Sequence, residues 1–512
     1  MVDSDTAPRH IRSIVIAGGG TAGWMAAVAL SRTIAPHRCA ITLIESETIG
    51  TIGVGEATIP PILSFNQIIG LGEAEFVQAT KATFKLGIEF AGWRNRGHRY
   101  FHPFGRYGND FAGTNFHQHW LRAQSLGDTT PFGDFSLNEK AAYSGKMGKL
   151  DSDPRSVFST FSYAYHFDAA LYAQHLRSMA EQRGVVRREG LIEDVVLNGE
   201  SGHIEGLRLD DGGLVEGDLF IDCTGLRSLL LGEALGVPFV DWTHYLPCNR
   251  ALAVPTDSID LDRPYTRSTA HEAGWQWRIP LQHRMGNGMV YSAAFWSDDQ
   301  AHDALMANLE GKPLADPRPI RFTTGRRAQS WAKNCVAIGL SAGFLEPLES
   351  TSIHLIQIAV AKLLNWFPDL DFDPMTMGEF NRQIINEYDR IRDFLVLHYH
   401  ANARHDDAFW RHCATQPIPD TLAEKIAMFR RTGRLLSRES DLFQDASWLA
   451  VMLGQGIMPH GHDPLTESLR PTDLDKLLRG MRQLIAKAAD AMPTQRAHLA
   501  QMGQAPRQMA LG

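Results

Sequence analysis

The chain has 512 residues, 44% hydrophobic and 21% charged, enough for two or more domains and a large core of ordinary soluble, globular composition. A net charge of −8 argues against a nucleic-acid surface, because phosphate contacts need a clustered positive field. The cysteines (Cys39, Cys223, Cys248, Cys335, Cys413) are scattered and form no C-x-x-C pair, which points to buried thiols in a reducing compartment rather than disulfides or a zinc site. No apolar run reaches ~18 residues, so no membrane contact is expected. The polar start MVDSDTAPRH leaves no room for a signal peptide, and the expected location is cytoplasmic.

Residues 13–17 form a short apolar, β-branched run, as in a buried parallel strand. Gly18, Gly20 and Gly23 follow with G-x-G-x-x-G spacing, Thr21 and Ala22 lie within it, and a helix is expected over 25–31. A second apolar run, 40–44, ends in Glu45, which stands 22 positions after Gly23, where a ribose-binding acid belongs. The pattern predicts a dinucleotide site without separating FAD from NAD. Residues 51–60 read as a glycine-punctuated loop, either lining the nucleotide or turning at the surface. Residues 83–90 alternate as one strand, with Phe84, Leu86, Ile88 and Phe90 on one face and Lys85, Gly87 and Glu89 on the other. A lone lysine on a polar face ordinarily meets solvent. The aromatic- and histidine-rich stretch 99–120 suits a cavity lining better than a regular core element, and its spacing favours no metal.

Strand chemistry returns over 184–225 and again over 334–339, where Gly339 opens a second glycine turn. Ser350 and Thr351 then stand where a helix could begin, offering either an anion site or a plain cap. A Pro/Asp-rich connector at 367–374 introduces helical periodicity through Phe380, Ile384, Tyr388, Ile391, Leu395 and His398. Thr421 with Glu424 reads as a capping box, and Thr472 as the cap of a last helix. His398, His400 and His405 fit no common zinc spacing, and no metal is assigned. From Pro493 the tail is expected to fray.

One segment, Gly274-Trp-Gln-Trp-Arg-Ile-Pro280, carries W-x-W-x-I-P as Trp275, Trp277, Ile279 and Pro280. With Gly18–Trp24, Gly53–Pro60 and Phe344–Thr351, it resembles the flavin-dependent tryptophan halogenases over most of the chain. The resemblance implies an α/β fold with a Rossmann-like FAD-binding domain of flavin monooxygenase type over 1–366. Substrate-site segments would be inserted at about 83–160 and 240–330, and a helical domain, 367–512, would complete that site. It further implies that FAD arrives reduced from a separate, diffusible flavin reductase and that halide is oxidised to hypohalous acid. The acid then travels to an aromatic ring at a second site. By that analogy Lys85 is the catalytic lysine, Glu349 its partner carboxylate, and Thr351 with Ser352 the halide position. The ring site would draw on His102, Phe104, Trp275, Trp277 and Phe443, and the cofactor site on Gly18, Gly20, Thr21, Ala22, Gly23, Glu45 and Gly339.

Two departures matter. Ser352 replaces the family's usual glycine beside the halide, so bromide is expected to be used better than chloride. Between Gly433 and Gly454 the chain is short, with Phe443 and Trp448 its aromatics, and lacks the family's amino-acid clamp. An indole-type substrate without the zwitterion is therefore expected. The alternatives are a flavin-dependent aromatic hydroxylase and a flavin-binding protein without turnover, and a homodimer stays open.

Overall fold

A continuous apolar, β-branched run puts Ser13–Ala17 inside a six-stranded sheet. The order of that sheet is Trp331–Ala332, Cys335–Ala337, Leu219–Asp222, Ser13–Ala17, Ala40–Glu45 and Val186–Glu189. All neighbours are parallel except the Trp331–Ala332 edge, so the inner strands are buried on both faces. This is a computed structural model describing residues 10–48, 55–437 and 441–504. The helix after the first strand spans Thr21–Thr33, longer than the expected 25–31. It needs glycine at two places. Gly18 has φ +105°, and a Cβ on Gly23 would lie 1.9 Å from Gly18 O.

A seven-stranded sheet lies beside this frame, ordered Arg318–Arg321, Arg250–Thr256, Met285–Tyr291, Gly274–Pro280, Thr266–Ala270, Gly87–Ala91 and Arg99–Pro103. A three-stranded sheet of Gly55–Ala57, Ala164–Asp168 and Thr83–Lys85 connects the two regions. The stretch 83–90 is therefore not one strand. It breaks at Leu86, whose N–H donates to Pro264 O at 2.7 Å while its carbonyl accepts from Phe104 N–H at 2.8 Å. Lys85 ends one sheet and Gly87 begins another, and Lys85 is buried rather than on a solvated face.

Other expectations are corrected in the same way. Within 51–60, residues 51–54 lie outside the described residues, but Gly55–Ala57 is a strand and not a loop. The stretch 99–120 begins in a buried strand, Arg99–Pro103, and ends in a buried helix, Phe116–Ser125, with irregular, partly exposed chain between them. His119 stacks on Phe111 at 3.8 Å, and His117 Nε2 lies 2.8 Å from Gly433 O. The capping box at Thr421 does not form. The helix Asp420–Thr432 is capped by Pro419, and the Thr421 hydroxyl donates to Asp393. Nor does Thr472 cap the last helix, because Pro471–Ala491 starts after Arg470 and Gln495–Gln504 follows it.

Beyond Trp366 the elements are mainly helical, dominated by Pro374–His400. Its residues Phe380, Ile384, Tyr388, Ile391, Leu395 and His398 are all buried, which is the stripe that the periodicity predicts. Among the described residues no helix is long and apolar enough to cross a membrane.

Gly23→Ala should destabilise the fold by roughly 1–3 kcal/mol, because its methyl meets rigid backbone. Gly20→Ala should change stability by less than about 1 kcal/mol, since nothing lies within 4 Å of the added carbon. Chemical denaturation of the two variants checks the contrast.

Candidate active site

The first half of the site is the cradle above the first helix. Gly20 is its N-cap, φ −72°, with no side-chain cap, so the first-turn N–H groups are open to an anion. Space is open over Gly20 and Gly225, where a Cβ would meet nothing within 4 Å. Gly339 (φ +79°) closes the cradle from the other strand, and its Cβ would lie 2.9 Å from Ala22 Cβ. An open, amide-rich cradle of this kind fits the pyrophosphate of a dinucleotide. Glu45 reaches over Gly19 and accepts from Trp24 Nε1 at 3.2 Å. The same carboxylate pairs with Arg177 at 3.4 Å and with Arg187.

The second half is assembled around Glu349, in the short turn Pro347–Glu349. Burial pushes this carboxyl up, but His102 and His398 outweigh it and hold it down at about 2. His102, on strand Arg99–Pro103, places Nδ1 3.0 and 2.9 Å from the two carboxylate oxygens, so Nδ1 is the donor. His398, near the end of the long helix, places Nε2 2.8 Å from Oε1, an ion-pair distance lying off the hydrogen-bond direction. Its Nδ1 lies 2.8 Å from Phe394 O.

The next residue, Ser350, is left-handed at φ +59°, a conformation that costs a non-glycine residue about 1–3 kcal/mol. The turn brings its hydroxyl to Lys85, whose Nζ donates to Ser350 Oγ at 2.8 Å. Burial pushes the Lys85 ammonium down to about 7, against the pull of Glu349 and Glu56. Lys85 thus meets the turn through Ser350, the residue after Glu349, and no ion pair within 4.0 Å links Lys85 directly to Glu349. Thr351 caps the helix Ser352–Asn365, and its hydroxyl is buried without a partner.

Aromatic residues surround this core. Lys85 Nζ lies 5.2 Å from the Phe104 ring centre, Phe443 stacks on Phe394 at 4.0 Å, and His102 lies 6.2 Å from Phe443. Trp275 and Trp277 share one face of strand Gly274–Pro280, with ring centres 6.1 Å apart. Trp275 Nε1 and both Glu346 oxygens are buried without aligned partners, and burial raises the Glu346 carboxyl to about 7. Residue order put Ser350 at a helix start and His398 in a helical stripe but not beside Lys85 and Glu349, and it did not single out Glu346. A histidine in the apolar stripe of a long helix signals a buried ring in need of a partner, which the periodicity already offered for His398.

One α/β frame thus carries an open glycine cradle that fits a dinucleotide and a separate buried lysine–carboxylate centre. Comparison with known proteins gives the class. The profile of the tryptophan halogenase family matches residues 13–471. The structure superposes on BrvH, a flavin-dependent halogenase from Brevundimonas sp. BAL3, with TM-score 0.93 and 47% identity, covering 96% of this chain and 99% of the other. It matches Xcc4156, a flavin-dependent halogenase from Xanthomonas campestris, with the same score and identity over 97% and 99% of the chains. The 7-chloro-L-tryptophan 6-halogenase KtzR of Kutzneria sp. is 38% identical over 96% of this chain and 99% of its own. The chain belongs to the flavin-dependent tryptophan halogenase family. It is an enzyme of that oxidoreductase class, which displaces the hydroxylase and non-catalytic alternatives.

The lowered Lys85 value has a consequence for stability. Between about 7 and the ordinary 10.5 the unfolded chain holds more protons, so stability rises with pH across that window. Lys85→Met should unfold at a higher temperature than the wild type at pH 7, with the gap closing toward pH 10. Thermal unfolding followed by circular dichroism at the two pH values checks this.

Proposed function

We propose that this chain halogenates an indole-type ring by electrophilic substitution, using dioxygen, halide and FAD supplied reduced by a separate flavin reductase. The observation that carries the proposal is the buried Lys85 Nζ, 2.8 Å from Ser350 Oγ and in the electrostatic reach of Glu349. Gly18, Gly20, Thr21, Ala22, Gly23 and Gly339 would hold FAD, with Glu45 at the ribose end. Bound there, the reduced cofactor supplies the dioxygen-activating chemistry that oxidises halide to hypohalous acid.

The remaining work falls to the protein. The unpartnered Thr351 hydroxyl and the amides of the helix starting at Ser352 suit a halide. Lys85, charged below about pH 7, donates a hydrogen bond to hypohalous acid and makes the halogen more electrophilic. Glu349, held at about 2, stays ionised and accepts the ring proton, for which a weak base suffices because the cationic ring is strongly acidic. His102 and His398 keep that carboxylate oriented. Phe104, Phe443, Trp275 and Trp277 would enclose the ring.

The names of the curated relatives speak for an indole ring, since KtzR acts on a chlorinated tryptophan. Free tryptophan also needs partners for two charges. In the described part of 433–454 the charged groups are engaged: Arg434 with Asp463 at 2.8 Å, Asp441 with Arg390 at 3.0 Å, and Asp445 with Ser437. Leaving a zwitterion unpaired costs several kcal/mol.

Lys85→Ala should lower halogenated product about 100- to 10,000-fold while reduced FAD still consumes dioxygen. Product mass spectrometry beside an oxygen electrode checks this, and wild-type-like halogenation would exclude the lysine role. Indole should outrun free tryptophan and react at C3, its most nucleophilic carbon, and bromide should outcompete equimolar chloride. A substrate and halide competition read by mass spectrometry decides both, and efficient benzene-ring halogenation of free tryptophan would refute the missing clamp.

A further inference from the structure

The helix Ser352–Asn365 and its cap carry three buried polar atoms without a protein partner: Thr351 Oγ1, His354 Nδ1 and Gln357 Nε2. Residues 351 and 354 are one turn apart, and helical side chains lean toward the N-terminus, so His354 shares the flank of Thr351. The other ring nitrogen, Nε2, lies 2.9 Å from Glu387 Oε1 on the helix Pro374–His400. A carboxylate only accepts, so Nε2 carries a hydrogen and Nδ1 of the neutral ring is a bare acceptor. A tie between two helices would explain the Glu387 contact. It would not explain a buried Nδ1 left open on the opposite side of the ring, where native structures place water or a ligand.

Given the halogenase chemistry proposed above, the overall reaction has a proton to account for. Halide, dioxygen, reduced flavin and an aromatic C–H become an aryl halide, oxidised flavin and two waters. Dioxygen takes two electrons from the flavin and two from the halide–arene pair. Its oxygens need four protons: two come from the flavin, one from the ring and one from solvent. We propose that His354, supported by Glu387, delivers that solvent proton to the halide end of the site. Nδ1 takes up a proton from solvent while Nε2 stays hydrogen-bonded to Glu387. The Nδ1–H bond then breaks, and the proton passes through water on the Thr351 flank to the oxygen released as halide is oxidised. Nδ1 is reprotonated from solvent. His354 and Glu387 are 7% and 9% exposed, buried yet close to the surface.

The test uses the enzyme loaded with reduced FAD in aerated bromide buffer, with hypobromous acid trapped by monochlorodimedone. His354→Ala should lower trapping about 100-fold, with FAD affinity unchanged and activity partly restored by added imidazole. Glu387→Gln keeps the hydrogen bond but removes the charge, and should lower trapping at least about 10-fold. Nitrogen NMR of the free, histidine-labelled protein should find the His354 hydrogen on Nε2 and a bare Nδ1. Wild-type trapping in either variant, a loss that imidazole does not restore, or a hydrogen on Nδ1 of the neutral ring would overturn the relay. A wild type that forms no hypobromous acid would instead overturn the halogenase mechanism, and the relay with it.

Discussion

A carboxylate buried at 1% exposure is the constraint on which this site depends. Taken out of water alone, Glu349 would be neutral. It stays ionised because His102 arrives from the end of the seven-stranded sheet and His398 from the end of the longest helix. Sheet, turn and helical region are therefore held in mutual register by one negative charge. Removing either imidazole would leave that charge partly uncompensated, which is the costly way to break a buried pair.

The lysine opposite is protected from the reverse problem. Its neighbour His166 is also fully buried, and burial followed by the Lys85 charge holds that ring well below its usual range. The hydrogen bonds agree. Thr83 Oγ1 donates to Pro280 O at 2.6 Å, which leaves the hydroxyl oxygen to accept from His166 Nδ1 at 3.1 Å. Nε2 is then free to accept from Thr266 Oγ1 at 2.9 Å. A neutral histidine, fixed in one tautomer, keeps a second cation away from Lys85.

How much of this could be read from residue order differs by element. The glycine spacing at Gly18, Gly20 and Gly23 announced the cradle because each glycine meets a local steric demand of one strand–turn–helix unit. The buried stripe of Pro374–His400 was legible because helical period and burial coincide. Lys85 was not legible from its alternation. The pattern over 83–90 is continuous, while the break at Leu86 comes from Pro264 and Phe104, distant in sequence. Thr421 failed as a cap for a similar reason, since its hydroxyl found Asp393 on another helix. The resemblance to a family pointed to Lys85 and Glu349, but not to Ser350 as the acceptor for Lys85 or to His398 beside Glu349.

Ser350 carries a conflict that no side chain at that position resolves. Glycine would relax the left-handed turn and leave the ammonium without its acceptor. Alanine would keep the strain and lose the acceptor as well. A longer polar side chain would crowd a residue that is 2% exposed. The left-handed turn and the lysine contact thus pull this position in opposite directions, and selection for thermal stability alone would drift toward glycine here and leave the buried ammonium without its acceptor.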